Sequence, residues 1–214
     1  YNHKGKAHML KLYLSKGSSA LAAHILLEDA NAVYITQEVS IPKGEHQSHA
    51  FLKLNPKGRV PVLDTPEGTI TENPAILEYI AVSHPRANLA PSGVLEQANA
   101  RSLCAYLCAT AHVAFAHKQR GTRWADDANA VESMQQYVPQ NIAESAAYLE
   151  AYVMRGAWAL GDNYSFCDPY LFLMGRWLTA CDLPLEQYPK LAAHHLAMRK
   201  RTSTITALAA HGLT

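Results

Sequence analysis

The sequence has little charge of either sign. Only 17% of its 214 residues are charged, and 19 basic residues balance 18 acidic ones to a formal net charge of +1. A protein that binds nucleic acid needs a basic face or stripe, which this near-equal number of basic and acidic residues does not supply. We therefore expect no nucleic-acid partner, although one or two local cations suffice to hold a small anionic ligand.

Cysteine is also scarce. Four cysteines, at positions 104, 108, 167 and 181, are too few and too scattered for a disulfide scaffold. Cys104 and Cys108 share a predicted helix face, but no second pair completes a tetrahedral metal site, and the histidines form no HExxH motif. We expect a reducing compartment, cysteines that pack as small hydrophobes, and no metal.

Long apolar runs and a secretory signal are missing as well. No run approaches the ~20 residues that span a bilayer. The opening YNHKGKAH lacks the apolar core of a signal peptide. We expect residues 1–8 to be a tag or vector remnant ahead of a start at Met9, with a short native extension as the alternative. The expected location is the cytoplasm, with no membrane partner.

The apolar residues, 49% of the chain, follow two different patterns. Residues 9–85 alternate between strand-like and helix-like spacing, which predicts the order β-α-β-α-β-β-α. Residues 86–92 contain proline without apolar periodicity and are typical of a linker. Residues 93–214 predict an all-helical domain, with helical spacing at 95–118, 127–155, 168–181 and 189–210. A small α/β half and an all-α half indicate two packed domains.

Three segments in this order resemble the cytosolic glutathione S-transferase superfamily, most closely its bacterial beta class. They are KLYLSKGSSALAAHI (11–25), NPKGRVPVLDTPEGTITENPAI (55–76) and GDNYSFCDPYLFLMGRW (161–177), and the likeness extends over nearly all of residues 9–214. The resemblance implies a thioredoxin-like glutathione-binding domain over 9–85 and a helical substrate-binding domain over 93–214. It also implies glutathione as co-substrate, a homodimer and a role in detoxification.

The resemblance assigns a ligand role to the Val60-Pro61 peptide. Proline at the entrance to a strand removes a ladder donor, and most X-Pro bonds are trans, so the residues alone favour an ordinary edge-strand proline. Members of the superfamily keep a cis-proline here. The likeness therefore implies a cis bond, with the backbone of Val60 pairing with the cysteinyl unit of glutathione.

The two ends of glutathione would be held by polar residues nearby. The resemblance implies that Glu72 and Asn73 hold the γ-glutamyl end, where the N-terminus of a helix also favours a carboxylate. Asn73 replaces the usual serine, and simple helix capping is the alternative interpretation. Lys43 falls near the expected glycyl carboxylate, with Lys57 and Arg59 as alternatives.

The position expected to contact the sulfur departs from the beta class. Ser19 stands where those relatives have a cysteine, so a mixed disulfide with glutathione is not expected. A serine O–H at a helix N-terminus favours a thiolate and lowers the thiol pKa, and other classes of the superfamily use serine in this way. One of Ser18 and Ser19 should cap the helix, and we assign Ser19 to the sulfur; Tyr13 and Ser15 are reserves.

Two residues of the helical half need opposite interpretations. His112 falls where beta-class relatives carry a histidine that reaches toward the sulfur and can help to remove the thiol proton. A histidine that merely packs in its helix is the alternative. Ser165 and Asp168 instead form the S-x-x-D pattern of a capping box, so we expect Asp168 to be structural and not a catalytic acid.

The expected function is glutathione conjugation to a small, largely apolar electrophile, which the helical domain holds near residues 103–120 and near Trp124 or Trp177. Alternatives on the same scaffold are an isomerase, a dehalogenase or a peroxidase, because the acceptor pocket decides the chemistry. A non-catalytic binder of glutathione or of hydrophobic ligands is the alternative from another class.

Overall fold

The structure, a computed structural model, describes residues 9–213 and divides into two units. The first unit comprises the described residues up to Ala90 together with residues 201–213, and the second comprises residues 91–200. The interpretation of residues 1–8 as a tag or vector remnant concerns positions outside the described residues.

The first unit is built around a four-stranded sheet. Its strands are β1 (Leu10–Leu14), β2 (Tyr34–Glu38), β3 (Val62–Thr65) and β4 (Gly68–Thr71). They lie in the order β2-β1-β3-β4, and β1 is parallel to β2 but antiparallel to β3, as β3 is to β4. The helices are α1 (Ala20–Asp29), α2 (His49–Leu54) and α3 (Asn73–Ser83), and a short 3-10 turn (Glu45–Gln47) precedes α2. The predicted β-α-β-α-β-β-α order and the thioredoxin-like fold are confirmed.

Local patterns in the sequence account for this core. In β1 the side chains of Leu12 and Leu14 are buried, whereas those of Lys11 and Tyr13, which alternate with them, are half-buried, as the two-residue period of a strand requires. Helix α1 is buried from Ala20 to Leu27 without a break, which explains why its sequence is nearly all apolar.

The second unit is all helical. It contains α4 (Val94–Tyr106), α5 (His112–Arg120), α6 (Ala128–Tyr148), α7 (Asp168–Ala180) and α8 (Pro189–Arg199). The predicted helices over 95–118 and 127–155 are each interrupted or ended by a π-helical turn, at Leu107–Ala111 and Leu149–Val153. Such turns insert one extra residue into the helical repeat, and the prediction of one continuous helix over each stretch missed them.

The C-terminal region differs from the expectation in two respects. The stretch 189–210, predicted as one helix, breaks at Arg201, whose backbone is extended, and α9 (Thr202–Ala210) follows. The structure also groups residues 201–213 with the first unit, whereas the expected helical domain extended to residue 214. The physical reason is packing on α1: Ala207 and Leu208 are buried, and Arg201 Nη2 bonds Asp29 Oδ1 at 2.6 Å.

Candidate functional site

The topology of the first unit gathers four loops at one end of the sheet. Strands β1 and β2 run parallel and finish together, with Leu14 opposite Glu38. Strand β3 starts at this end, where Val62 lies opposite Tyr13 of β1 and Thr71 of β4. The segments that leave or enter the sheet here carry the predicted first-unit site residues Ser19, Lys43, Arg59, Val60, Pro61, Glu72 and Asn73.

The loop from Ser15 to Ser19 distinguishes its two final serines. Ser19 holds the N-cap position of α1, but it is Ser18 whose Oγ accepts a hydrogen bond from an N–H of the first turn, that of Ala20, at 3.3 Å. Ser19, half-buried, makes no side-chain capping bond. Its hydroxyl makes no hydrogen bond to any residue within 9–213. The Ser19 hydroxyl is thereby available to a ligand at the N-terminus of α1.

Asn73 ties the start of α3 to this loop. Its Nδ2 donates to the backbone oxygen of Ser19 at 3.0 Å, and only 4% of the residue is exposed. The N-cap position of α3 belongs to Glu72, so the interpretation of Asn73 as a helix cap is wrong. Asn73 Oδ1 is buried, and no described residue donates a hydrogen bond to it.

Glu72 has a strained backbone and a charged partner. Its φ of 72° lies in the left-handed region, which costs a residue other than glycine ~1–3 kcal/mol and occurs often at ligand sites. Its carboxylate forms an ion pair with Lys57 Nζ, which also donates to Thr71 Oγ1 at 2.9 Å. About half of each side chain is exposed, so this site offers both a carboxylate and an ammonium group to solvent.

The Val60-Pro61 peptide bond is cis, which confirms that expectation. The side chain of Val60 packs with those of Tyr13 and Leu54 against a buried apolar cluster (Val39, Phe51 and Val62). In the described part of the chain, neither the N–H nor the C=O of Val60 has a hydrogen-bond partner. The preceding carbonyl, that of Arg59, accepts from Asn55 Nδ2 at 2.7 Å. A fixed, unpaired backbone segment of this kind can pair with another extended peptide.

The cations predicted near this end of the sheet differ in their partners. Lys57 is engaged with Glu72, as described above. Lys43, in the turn after β2, and Arg59, before β3, are both exposed. Neither side chain makes an ion pair or hydrogen bond within the described range 9–213. These two side chains are the ones available to an anionic group of a ligand.

In the second unit, His112 lies in an aromatic cluster. It begins α5, directly after the π-helical turn, and its Nδ1 is 3.2 Å from Tyr170 Oη. Its ring stacks on Trp177 at 5.1 Å between centroids, and Phe115 stacks on the same indole at 5.6 Å. Trp124, the other predicted electrophile contact, is exposed and lies edge-on to His117. Both tryptophans belong to this unit.

Asp168 lies at the centre of a buried hydrogen-bond network. Its carboxylate is fully buried and accepts hydrogen bonds from Ala159 N–H and Ser165 N–H at 2.8 Å, from Ser165 Oγ at 3.1 Å and from His194 Nε2 at 3.0 Å. The predicted capping box forms only in part. The Asp168 N–H bonds the backbone oxygen of Ser165 at 3.1 Å, because the Ser165 hydroxyl donates to the carboxylate. These bonds give Asp168 the structural role that was predicted.

One contact at the Ser19 loop has no signal in the sequence. The backbone N–H of Gly17 donates to His211 Nδ1 at 3.2 Å, and 194 positions separate the two residues. No motif or periodicity links positions so far apart. The described residues contain no cluster of three or more side chains able to hold a metal ion, and none of their helices is long and apolar enough to cross a membrane.

The chain is similar to known glutathione transferases in sequence and in fold. The family model described as glutathione S-transferase, N-terminal domain, matches residues 9–82. The crystal structure of a glutathione transferase homolog from Sulfitobacter with bound glutathione is 36% identical, has a TM-score of 0.92, and is aligned over 96% of this chain and 99% of that one. The beta-class enzyme of Sphingomonas chungbukensis is 31% identical with a TM-score of 0.83, over 95% of this chain and 100% of its own. Glutathione S-transferase GstA of Escherichia coli O157:H7 is 28% identical over 207 residues, 95% of this chain and 100% of GstA. The chain belongs to the glutathione S-transferase family.

Proposed function

We propose that this protein binds glutathione at the end of its sheet and transfers the glutathionyl group to a small, largely apolar electrophile. The observation that carries this proposal is the Ser19 hydroxyl, which has no protein partner among the described residues, sits at the N-terminus of α1, and shares its end of the sheet with the unpaired backbone of Val60. The hydroxyl donor of Ser19 and the unpaired backbone of Val60 together suit an extended peptide with a thiol at its centre.

The proposed binding mode uses complementary charges. The cysteinyl unit pairs with the N–H and C=O of Val60. The γ-glutamyl end carries both an ammonium and a carboxylate group, and the Glu72–Lys57 pair offers the opposite charge to each. The first turn of α3 adds free N–H groups for the carboxylate. Lys43 or Arg59 takes the glycyl carboxylate, because both side chains are exposed.

The proposed chemistry is stabilisation of a thiolate by Ser19. A free thiol with a pKa near ~8.5 is only a few per cent ionised at neutral pH. Donation of the Ser19 O–H to the sulfur, together with the dipole of α1, favours the anion and lowers the thiol pKa. The thiolate then forms a sulfur–carbon bond, and the electrophile releases its leaving group with the bonding electron pair. Ser19 forms no covalent bond in this scheme.

His112 is assigned a separate, assisting role. An imidazole can accept the thiol proton or donate to the sulfur, and Tyr170 fixes the orientation of this ring through Nδ1. We expect His112→Gln to lower kcat/KM without weakening glutathione binding. If this variant bound glutathione less tightly and kept kcat, the residue would serve packing or binding, and the assisting role would be withdrawn.

The decisive test compares Ser19→Ala with Ser18→Ala. The pKa of bound glutathione is read from thiolate absorbance, and turnover is measured with a generic aryl halide. Ser19→Ala should raise the thiol pKa toward its free value and lower kcat/KM by ~100-fold, as loss of one oriented donor does. Ser18→Ala should lose only the helix cap, about 1 kcal/mol of stability.

Three other results would change the assignment. An unshifted thiol pKa in Ser19→Ala would remove Ser19 from the mechanism. Tight glutathione binding without turnover on a broad panel of electrophiles would identify a non-catalytic binder. Isomerisation or dehalogenation of a substrate that proved inert to conjugation would support one of the alternative enzymes on the same scaffold.

We also propose that the protein is a cytoplasmic homodimer. Exposed large apolar side chains occur in both units, among them Val82, which is 63% exposed, and Val94, which is 86% exposed. Side chains of this kind are candidates for burial against a second copy. Light scattering after size exclusion should give twice the mass of one chain, and a monomer at micromolar concentration would contradict the proposal.

A further inference from the structure

The C-terminal helix reaches the loop that carries Ser19. His211 follows the last residue of α9 and is only 2% exposed. Its Nδ1 accepts the hydrogen bond from the Gly17 N–H at 3.2 Å. An imidazole nitrogen that accepts a hydrogen bond carries no proton, so this contact requires the lone pair on Nδ1.

His211 is itself held in place by the packing of α9. Leu208 is 5% exposed and Thr204 is fully buried, and α9 lies against α1. The ion pair between Arg201 and Asp29 fixes the opposite end of α9 to the end of α1. The ring of His211 also lies 5.4 Å from that of His24 on α1. The acceptor offered to Gly17 therefore stands at the end of a helix that is packed and ion-paired against α1.

The loop needs such a support because its backbone otherwise makes few hydrogen bonds. Gly17 is exposed and has a φ of 73°, a left-handed conformation that glycine adopts at little cost. Within the loop, the Ser18 N–H bonds the Ser15 oxygen at 3.0 Å. On its far side, Asn73 bonds the oxygen of Ser19 at 3.0 Å. The bonds from His211 and Asn73 thus hold the loop at two points, on either side of Ser18.

We propose that His211 is a positioning residue of the sulfur site. Through the Gly17 N–H it sets the conformation of the loop, and so the direction of the Ser19 hydroxyl, without touching substrate. This inference rests on the proposed function, because it has His211 position the Ser19 hydroxyl that was proposed to stabilise the thiolate. It extends the site to the last turn of the chain described here, a region that the sequence had assigned to the helical domain.

Two substitutions separate the hydrogen bond from the volume of the ring. Asn places an acceptor oxygen the same number of bonds from the backbone as Nδ1 of histidine, whereas Leu places a methyl group there. His211→Asn should therefore keep the bond to Gly17, and His211→Leu should remove it. Leu208→Ala is the matched control, because it loosens the packing of α9 but leaves the acceptor in place.

The experiment measures the thiol pKa of bound glutathione, kcat/KM and the hydrogen-exchange protection of the Gly17 amide. His211→Leu should raise the thiol pKa, expose the amide to exchange and lower kcat/KM about ten- to a hundredfold, as small misplacements of catalytic groups do. The KM for glutathione should change little, because the contacts proposed for Val60 and Glu72 are untouched. His211→Asn should restore all three readouts, and Leu208→Ala should retain the wild-type thiol pKa.

Opposite results refute this inference separately from the proposed function. A wild-type thiol pKa in His211→Leu, or equal impairment in His211→Asn, would overturn the positioning role. An unprotected Gly17 amide in the wild-type protein would do the same while leaving Ser19 in its role. If the wild-type protein did not lower the thiol pKa at all, the proposed function would fail. Hydrogen-exchange protection of the Gly17 amide in the two His211 variants would still test whether His211 holds the loop.

Discussion

Replacing Asp168 by asparagine should destabilise the protein strongly and leave its chemistry intact. The carboxylate is fully buried and accepts four hydrogen bonds, two on each oxygen. An asparagine oxygen in the place of Oδ1 keeps the bonds from Ala159 and His194. Its NH₂ group then faces the Ser165 N–H, which is also a donor. One charge-assisted bond is lost and one buried N–H is left unsatisfied, for a cost of about 2–4 kcal/mol.

This cost is large against the ~5–15 kcal/mol by which domains are usually stable. Urea unfolding measures it directly, with Ser165→Ala as the control. That variant keeps the bond from the Ser165 N–H, loses only the contacts of the hydroxyl with Asp168 and with Cys167 Sγ, and should cost about 1–2 kcal/mol. At urea concentrations where Asp168→Asn remains folded, its kcat/KM should equal that of the wild type. A change below about 0.5 kcal/mol, or lost turnover in a fully stable variant, would refute the reasoning.

Three further outcomes follow from buried groups of the second unit. Burial, with Arg199 nearby, lowers the pKa of His195 from 6.5 to about 4, so its contribution to stability is present above pH 6.5 and is lost as the pH falls toward 4. Since one pKa unit is worth ~1.4 kcal/mol, the free energy of unfolding measured in urea should fall by at most about 3 kcal/mol between these pH values. The fall should be smaller in His195→Gln, and an unchanged pH dependence in that variant would contradict the assignment. Gly175→Ala should cost about 1–3 kcal/mol in the same assay, because a Cβ there collides with the ring of His195, and unaltered stability would show that the ring moves freely. Burial also raises the pKa of the Cys167 thiol, so mass spectrometry should find this cysteine unmodified by iodoacetamide in the native protein and alkylated in urea; rapid native alkylation would show that the site opens.

The sequence predicted those parts of the fold that depend on local patterns. Alternation in residues 10–14 and the apolar run of α1 belong to contiguous residues, and the β-α-β-α-β-β-α order followed from such segments. The break at Arg201 could not be predicted in the same way. Arg201, at the break, bonds Asp29, which lies 172 positions away in the sequence. The π-helical turn before His112 was missed because α-helix lies directly on either side of it, so the stretch reads as one continuous helix.

The same distinction between what the sequence could and could not predict applies to the candidate site. The family resemblance named Ser19, Val60, Glu72 and Asn73 as candidates, and the sheet register brings their segments to one end. Their bonding was not accessible from the sequence. Asn73 was weighed as a helix cap, but its amide bonds the Ser19 carbonyl. The choice between Ser18 and Ser19 as the cap required the backbone geometry of the turn.

The replacement of cysteine by serine in this loop makes that bonding more important. A hydroxyl that stabilises a thiolate acts only as a hydrogen-bond donor, and such bonds weaken steeply as distance and angle depart from a narrow range. Asn73 holds the carbonyl of Ser19, and His211 holds the N–H of Gly17 two residues earlier. With both points fixed, the hydroxyl has little freedom beyond its own rotation. The role proposed for Ser19 therefore depends on backbone support at both points, and the support at Gly17 comes from His211.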